Sequence, residues 1–494
     1  MGKHYNSTRS RKIQAQPKEA VIKGLAADGG LFVFDDIDQI KLPLDDMMKM
    51  NYKQMAETVL SALLFDFRDA EVKQCVAQAY DGQFDNEEIT PVVFSGDDAI
   101  CELFHGPTSA FKDVGLRMLP QLMSVSLKQK QNAEVMILTA TSGDTGKAAL
   151  AGFQDVDNVG ITVFYPDNGV SEIQRLQMVT QQGKNTNVVA IKGNFDDAQS
   201  GVKRIFHDEV FKDQFAKDNI IFSSANSINI GRLIPQVVYY FYSYKRLVEE
   251  KRIAFGDKVD FCVPTGNFGN VLAGYYAKLM GLPVHRFIVA ANANNVLYDF
   301  LKTGIYNRNR PFHKTISPSM DILISSNLER LLYYASDKDA NYVASLMDEL
   351  NSYGKYQVKT SVLTNIQSMF SVGFASDEEC TAAIQKKYQQ DGYVLDPHSA
   401  CGYAVMEKEK DAERACVLMA TASPYKFCSA VYEALFGKAD DNEFKVMEQL
   451  EQRTNTSAPK NLKGLQDLEI LHRDVIEIGE MKACVEAKTK RLFR

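Results

Sequence analysis

The residues that could do chemistry begin in ELFHGPTSAFKD, residues 102–113. One amine, Lys112, stands directly after Ala110 and Phe111 in a mostly apolar run, behind a turn built from His105, Gly106, Pro107 and Thr108. An ammonium group is strongly hydrated. A desolvated amine loses its proton more easily and becomes a nucleophile able to form a Schiff base with an aldehyde. The same lysine could instead send its charge back to water from the start of a helix. This segment alone leaves both readings open, and His105 could either assist chemistry or hold the turn.

Three further loops carry small polar residues just after apolar runs. In TATSGDTGKAALAGF, residues 139–153, Ser142, Gly143, Asp144 and Thr145 supply hydroxyls and unobstructed N–H groups ahead of a helix. That arrangement suits a carboxylate or phosphate at a helix N-terminus. An ordinary N-cap made by Ser142 or Thr145 would look the same. A nucleotide P-loop is excluded, because Thr141 stands where its first glycine belongs and Ala148 follows Lys147 where Ser or Thr is required. In PTGNFGNVLAGYYAKLMG, residues 264–281, Gly266, Asn267, Phe268, Gly269 and Asn270 again present donors before a helix. Glycines at 266, 269 and 274 do not match the dinucleotide fingerprint, so a compact phosphate fits better than a pyrophosphate. In SANSINIGRLIPQVVYYF, residues 224–241, Asn226, Ser227, Asn229 and Arg232 precede an aromatic helix. Arg232 could offer a bidentate fork to a phosphate, or pair with a carboxylate.

A fourth loop, in VLMATASPYKF at 417–427, ends a buried strand at Thr421. Its hydroxyl could bond a neutral ring nitrogen or simply terminate the strand. A desolvated lysine, a compact phosphate loop, a second anion loop and a lone hydroxyl together describe one kind of site. It is that of a pyridoxal-phosphate enzyme, with Lys112 on the aldehyde, residues 266–270 on the cofactor phosphate and Thr421 on the ring nitrogen.

The elements that must position these loops follow an α/β pattern. Apolar, β-branched runs start at 134 (EVMILTA), 160, 187, 220, 258, 286 and 415, and amphipathic stretches such as SEIQRLQMVTQQG separate most of them. Buried runs alternating with helices imply a parallel sheet covered on both faces, whose ligands collect at the carboxyl ends of strands. Residues 1–95 read as mainly helical. Residues 295–395 read as mostly helical, with little that carries chemistry. RTNTSAPKNLKG at 453–464 reads as a linker, and the remainder as a terminal helical piece.

Bulk composition narrows the class. The chain has 494 residues, 45% hydrophobic and 24% charged, with a net charge of −7 and no basic stripe, which argues against nucleic acid as a partner. Eight scattered cysteines show no zinc or redox spacing, so neither a metal nor a disulfide is expected. No apolar run approaches the ~18–20 residues needed to span a bilayer, and MGKHYNSTRSRK has no apolar stretch of a secretory signal. A cytoplasmic enzyme is expected, a monomer or homodimer acting on a small molecule, with no membrane partner.

HGPTSAFKD, TSGDTG, NSINIGR, GNFGN and ATASPYKF occur in this order, with YNSTRS and GLAADGGLFV near the start and DPHSACGY at 396–403. Together they resemble the threonine synthase family, in particular its longer form, over residues 5–430. The resemblance implies a fold-type-II pyridoxal-phosphate enzyme, similar to tryptophan synthase β. Two parallel-sheet domains flanked by helices are then expected, at 131–234 and at 96–130 with 235–430. A helical N-terminal lobe, 1–95, and a helical C-terminal extension, 431–494, would complete the chain.

The implied reaction converts O-phosphohomoserine and water into threonine and inorganic phosphate. Lys112 then matches the Schiff-base lysine, and Gly266, Asn267, Phe268, Gly269, Asn270 and Thr421 match the cofactor contacts. Ser142, Gly143, Asp144 and Thr145 match the substrate carboxylate loop, and Asn226, Ser227 and Arg232 match the substrate phosphate grip. Related enzymes often carry Asn where Asp144 stands, so that side chain is not assigned to the cofactor. A phospho-lyase or serine/threonine dehydratase of the same fold is the alternative. A non-catalytic relative of this fold is a further reading, against which the retained Lys112 speaks.

Overall fold

The computed structural model describes residues 3–130, 133–141, 143–167 and 169–494. In the N-terminal half the strands are β1 (Tyr5–Ser7), β2 (Ser10–Ala15), β3 (Phe32–Phe34), β4 (Val92–Ser95), β5 (Asp98–Glu102), β6 (Glu134–Ala140), β7 (Val159–Pro166), β8 (Thr186–Lys192) and β9 (Ile220–Ser223). There follow β10 (Val259–Pro264), β11 (Val284–Ala291), β12 (Ile305–Asn307), β13 (Lys355–Gln357), β14 (Phe370–Phe374), β15 (Cys416–Ala420) and β16 (Asp474–Glu477).

Two sheets dominate. The larger runs β14-β11-β10-β15-β5-β4 and is parallel except for its β4 edge, which pairs antiparallel with β5. The smaller runs β16-β8-β7-β6-β9 and is parallel throughout. Sequence dictates this arrangement directly: all eight residues of β7 and all six of β10 are buried, as strands covered on both faces require. Each apolar side chain so buried contributes about 1.5–3 kcal/mol. Helices cover the sheets, among them Lys112–Leu127, Asp144–Phe153 and Gly269–Leu279. The first two approach so closely that a Cβ on Gly152 would lie 2.0 Å from the Leu116 carbonyl oxygen. Only glycine permits that contact.

Every run read as a strand is one. Three stretches expected to be mainly helical are so, and each adds one or more strands. Residues 1–95 are not merely helical: β1, β2 and β3 form an antiparallel sheet beside the helices Pro17–Lys23, Tyr52–Leu63 and Asp69–Tyr80. Residues 295–395 include β14, an edge strand of the large sheet. The C-terminal piece is not wholly helical, because β16 extends the small sheet before the helix Met481–Phe493. The eight cysteines are all unpaired. Among the described residues, no helix is long and apolar enough to cross a membrane.

Candidate active site

The chemically promising loops all leave the carboxyl ends of strands: 103–111 after β5, 141–143 after β6, 224–229 after β9, 265–268 after β10 and 421–423 after β15. Lys112 opens the helix that follows the first. Asp113 accepts from the Thr108 N–H (2.8 Å) and Oγ1 (2.6 Å), which folds the preceding turn onto the helix start. The Phe111 N–H donates to the Thr421 carbonyl (2.8 Å) and the Ser423 N–H to Ser109 (3.1 Å), so Thr421 lies beside Lys112. Ser109 takes a left-handed φ of 57°. Asn461 holds it there, accepting from Ser109 Oγ (3.0 Å) and donating to the Pro107 carbonyl (2.6 Å). The supposed linker therefore buttresses the Lys112 turn.

The Lys112 side chain is only 10% exposed, so it does not reach out to water. Its Nζ donates to Ser319 Oγ (3.3 Å) and lies 3.6 Å from Asp144 Oδ2. Burial lowers its pKa, Asp144 opposes that, and the cations Arg232 and Lys426 reinforce it; the result is about 8. The amine is thus partly unprotonated near neutral pH. His105 behaves differently. It bridges Asp85 (2.7 Å) and Glu102 (2.8 Å), and although burial disfavours the imidazolium, the two carboxylates outweigh it and push its pKa up to about 9. A cation locked between two carboxylates holds the turn.

Asp144 begins the helix after β6. Thr141 Oγ1 caps that start, accepting from the N–H groups of Gly143 (2.9 Å) and Gly146 (2.8 Å). Ser142 lies outside the described residues, and Thr145 is half-buried. Gly143 has φ +135°, and a Cβ there would stand 2.5 Å from the Gln174 amide. The buried Asp144 carboxylate accepts from Lys426 Nζ (2.7 Å), Gln174 Nε2 (3.1 Å) and Ser319 Oγ (3.0 Å). Burial alone would raise its pKa, but Lys426 and Lys112 hold it far below the usual carboxylate range.

Phe268, in the left-handed region at φ 64°, turns the 266–270 loop into its helix and buries its ring near Phe370. Among the described residues, no hydrogen bond uses the N–H groups of Gly266, Asn267, Phe268, Gly269 or Asn270. Asn270 Oδ1 accepts from Tyr239 (2.7 Å) and Tyr240 (2.9 Å), while its buried Nδ2 has no partner among the described residues. A row of unused donors with an orphaned amide is a cradle for an anion. Asn327 Nδ2 joins this loop to the next, donating to the Asn267 carbonyl (3.1 Å) and Ser227 Oγ (3.1 Å). Ser319 joins it to Lys112, since its carbonyl oxygen lies 3.1 Å from where a Cβ on Gly266 would stand.

Arg232 is 4% exposed and donates to the Ala225 carbonyl (2.8 Å). Among the described residues no carboxylate lies within 4.0 Å of it, so the carboxylate-pair reading does not hold. Burial lowers its pKa to about 10, and it faces Lys112 electrostatically. Asn226 and Ser227 are half-buried nearby in sequence. Asn229 is structural: it caps the short helix through the Gly231 N–H (2.9 Å) and donates to the Val21 carbonyl (2.9 Å).

Four residues escaped the reading of the sequence. Ser319 and Asn327 come from the stretch taken as chemically quiet, and nothing local marks them. His398 and Lys426 sat inside the quoted motifs without being singled out. His398 Nε2 accepts from the Ser319 N–H (3.1 Å), which places its proton on Nδ1, facing Asp396 (2.8 Å). Asp396 also accepts from Ser399, whose Oγ in turn accepts from the Thr421 N–H (3.1 Å). One network therefore runs from Thr421 through Ser399, Asp396, His398 and Ser319 to Lys112.

A buried, partly deprotonated lysine beside an anion cradle at the strand ends of a parallel sheet defines a fold-type-II pyridoxal-phosphate-dependent enzyme. The donor set fits that cofactor: an amine for its aldehyde, five unused N–H groups with the Asn270 amide for its phosphate, and a hydroxyl at Thr421. Consistent with this, the family described as "Pyridoxal-phosphate dependent enzyme" matches residues 100–421. "Threonine synthase N terminus" matches 4–80, and "Threonine synthase, C-terminal" matches 399–469. The chain is 36% identical to threonine synthase from Saccharomyces cerevisiae over 516 residues, covering 97% of this chain and 98% of that one. A crystal structure of pyridoxal-phosphate-bound threonine synthase from Brucella melitensis aligns with TM-score 0.87 and 35% identity, covering 99% and 100%. Human threonine synthase-like 1 is 41% identical over 430 residues, covering 84% of this chain, which spans 58% of that relative's length. The chain belongs to the threonine synthase family.

Proposed function

We propose that the protein converts O-phosphohomoserine and water into threonine and inorganic phosphate, with pyridoxal phosphate attached to Lys112. The convergence of the five strand-end loops on one buried amine carries this reading. When bound, the cofactor supplies an electron sink for negative charge developing next to the captured substrate amine. Gly266, Asn267, Phe268, Gly269 and Asn270 would hold its phosphate through their N–H groups, and the Thr421 hydroxyl would serve its ring nitrogen. A neutral hydroxyl there leaves that nitrogen unprotonated.

The chain's own groups then divide the work. Lys112 would take a proton from the α-carbon and return protons later, as its depressed pKa near 8 permits. Ser142, Gly143 and Thr145 receive the substrate carboxylate at the start of the 144–153 helix, where the dipole favours an anion. Asp144, already ionised and occupied by Lys426, Gln174 and Ser319, orients Ser319 and Lys112 instead of binding the carboxylate. Arg232, with no carboxylate within 4.0 Å among the described residues, grips the substrate phosphate together with Asn226 and Ser227 of the preceding loop and steadies it as it leaves from the γ-carbon. The substrate is a small phosphoester. Eight unpaired cysteines support a reducing, cytoplasmic setting.

The test is a product assay on O-phosphohomoserine. Threonine and phosphate in equal amounts are expected. Release of 2-oxobutyrate without threonine would assign the chain to the lyase alternative, a distinction worth drawing because the threonine synthase-like 1 relatives are more similar over the matched region than the yeast synthase is.

A further inference from the structure

Two buried lysines share one carboxylate in this site, and only one of them has a role in the reaction proposed above. Lys426 is fully buried in the turn after β15. Its Nζ donates to Asp144 Oδ1 (2.7 Å) and to the Thr108 carbonyl (2.9 Å). It thereby ties the Lys112 turn to the helix that starts at Asp144. Lys112 reaches only the other side of that carboxylate, through longer contacts of 3.6 Å to Asp144 Oδ2 and 3.3 Å to Ser319.

We propose that Lys426 is a positioning residue: it claims one oxygen of Asp144, and so leaves Lys112 as the amine that sheds its proton. The reasoning is geometric. Short charge-assisted bonds stabilise the protonated form of an amine, and two ammonium groups this close oppose each other. Lys426 has two short acceptors for its N–H groups, whereas Lys112 has none under 3.3 Å, so it is Lys112 that gives up a proton. The other charged groups are arranged consistently. Arg232 faces Lys112 as a third cation, His398 faces Asp144, and Asp113 is the second carboxylate in the field of Lys426. The lowered pKa of Lys112 agrees with this division.

The inference rests on the proposed attachment of pyridoxal phosphate to Lys112, and the experiment separates the two. Protein stripped of cofactor is mixed with pyridoxal phosphate across a range of pH, and uptake is followed by the appearance of yellow absorbance. In Lys426→Met, both oxygens of Asp144 fall to Lys112 and a neighbouring cation is lost. The pH midpoint of uptake should rise by about one unit or more, slowing uptake at pH 7 about tenfold. Lys426→Arg should restore the rate at pH 7 to within about threefold of the unsubstituted protein, since the charge is kept. A merely structural role would slow uptake equally at every pH; an unmoved midpoint in Lys426→Met overturns the proposal. Carbon-13 titration of the lysines in the unsubstituted, cofactor-free protein decides the matter even if that variant does not fold. Two resonances should titrate near 8, those of Lys112 and Lys147; one should vanish in Lys112→Ala, and the persistence of both there overturns the proposal. Loss of the yellow band in Lys112→Ala upholds the attachment itself, whatever Lys426 does.

Discussion

At the scale of residues, the site separates groups that react from groups that hold. Arg232 has one backbone partner and no carboxylate within 4.0 Å among the described residues, so its guanidinium is available to a phosphate. Arg232→Lys keeps the charge but loses the fork, and kcat/KM for O-phosphohomoserine should fall about 10–100-fold, with weaker inhibition by inorganic phosphate. His105 belongs to the holding set. Its pKa is raised from 6.5 to about 9, so the stability it contributes is complete below pH 6.5 and lost as pH rises through 9. Thermal melts of His105→Gln should lie about 2–4 °C below the unsubstituted protein at pH 6, with the gap closing by pH 10. A gap that widens with pH would contradict the imidazolium assignment.

At the scale of elements, the strands deliver the loops and the helices aim them. Gly143 at φ +135° lets the chain turn into the 144–153 helix against Gln174. Gly143→Ala should cut activity at least about tenfold while leaving the circular dichroism spectrum intact, because a Cβ must displace Gln174 and with it Asp144. Asn461→Ala should destabilise by about 1–2 kcal/mol and weaken retention of the cofactor, since Ser109 and Pro107 lose their clasp. These elements were legible to different degrees. Strands β6, β7, β10 and β11 announce themselves as apolar runs because both their faces are buried. β16, DVIE, is exposed along most of its length, and β14, FSVGF, is short and interrupted by Ser and Gly, so neither carries such a pattern. Lys112, the 266–270 loop and Thr421 could be read from residue type and position. Ser319, Asn327 and Asn461 could not, because their roles exist only where distant segments meet.

At the scale of the whole molecule, the N-terminal lobe is wired to the site rather than appended to it. Arg330 is fully buried and donates to the Phe32 carbonyl (2.9 Å), to the Ile228 carbonyl (2.6 Å) and to Asn327 Oδ1. One side chain thus links β3, the loop before Arg232 and the residue that spans Asn267 and Ser227. Arg330→Met should cost about 3 kcal/mol in urea unfolding, since two buried acceptors and one half-buried acceptor lose their donor. It should also weaken cofactor retention, although Arg330 lies outside the reactive centre. The whole arrangement converges on one amine although others lie close by, the buried Lys426 and the half-buried Lys147. Its most direct test is to load the protein with pyridoxal phosphate, reduce it with borohydride, digest it and find the modified lysine by mass spectrometry. The pyridoxyl group should be found on Lys112; its appearance on Lys147 or Lys426, or on no lysine, would contradict the assignment.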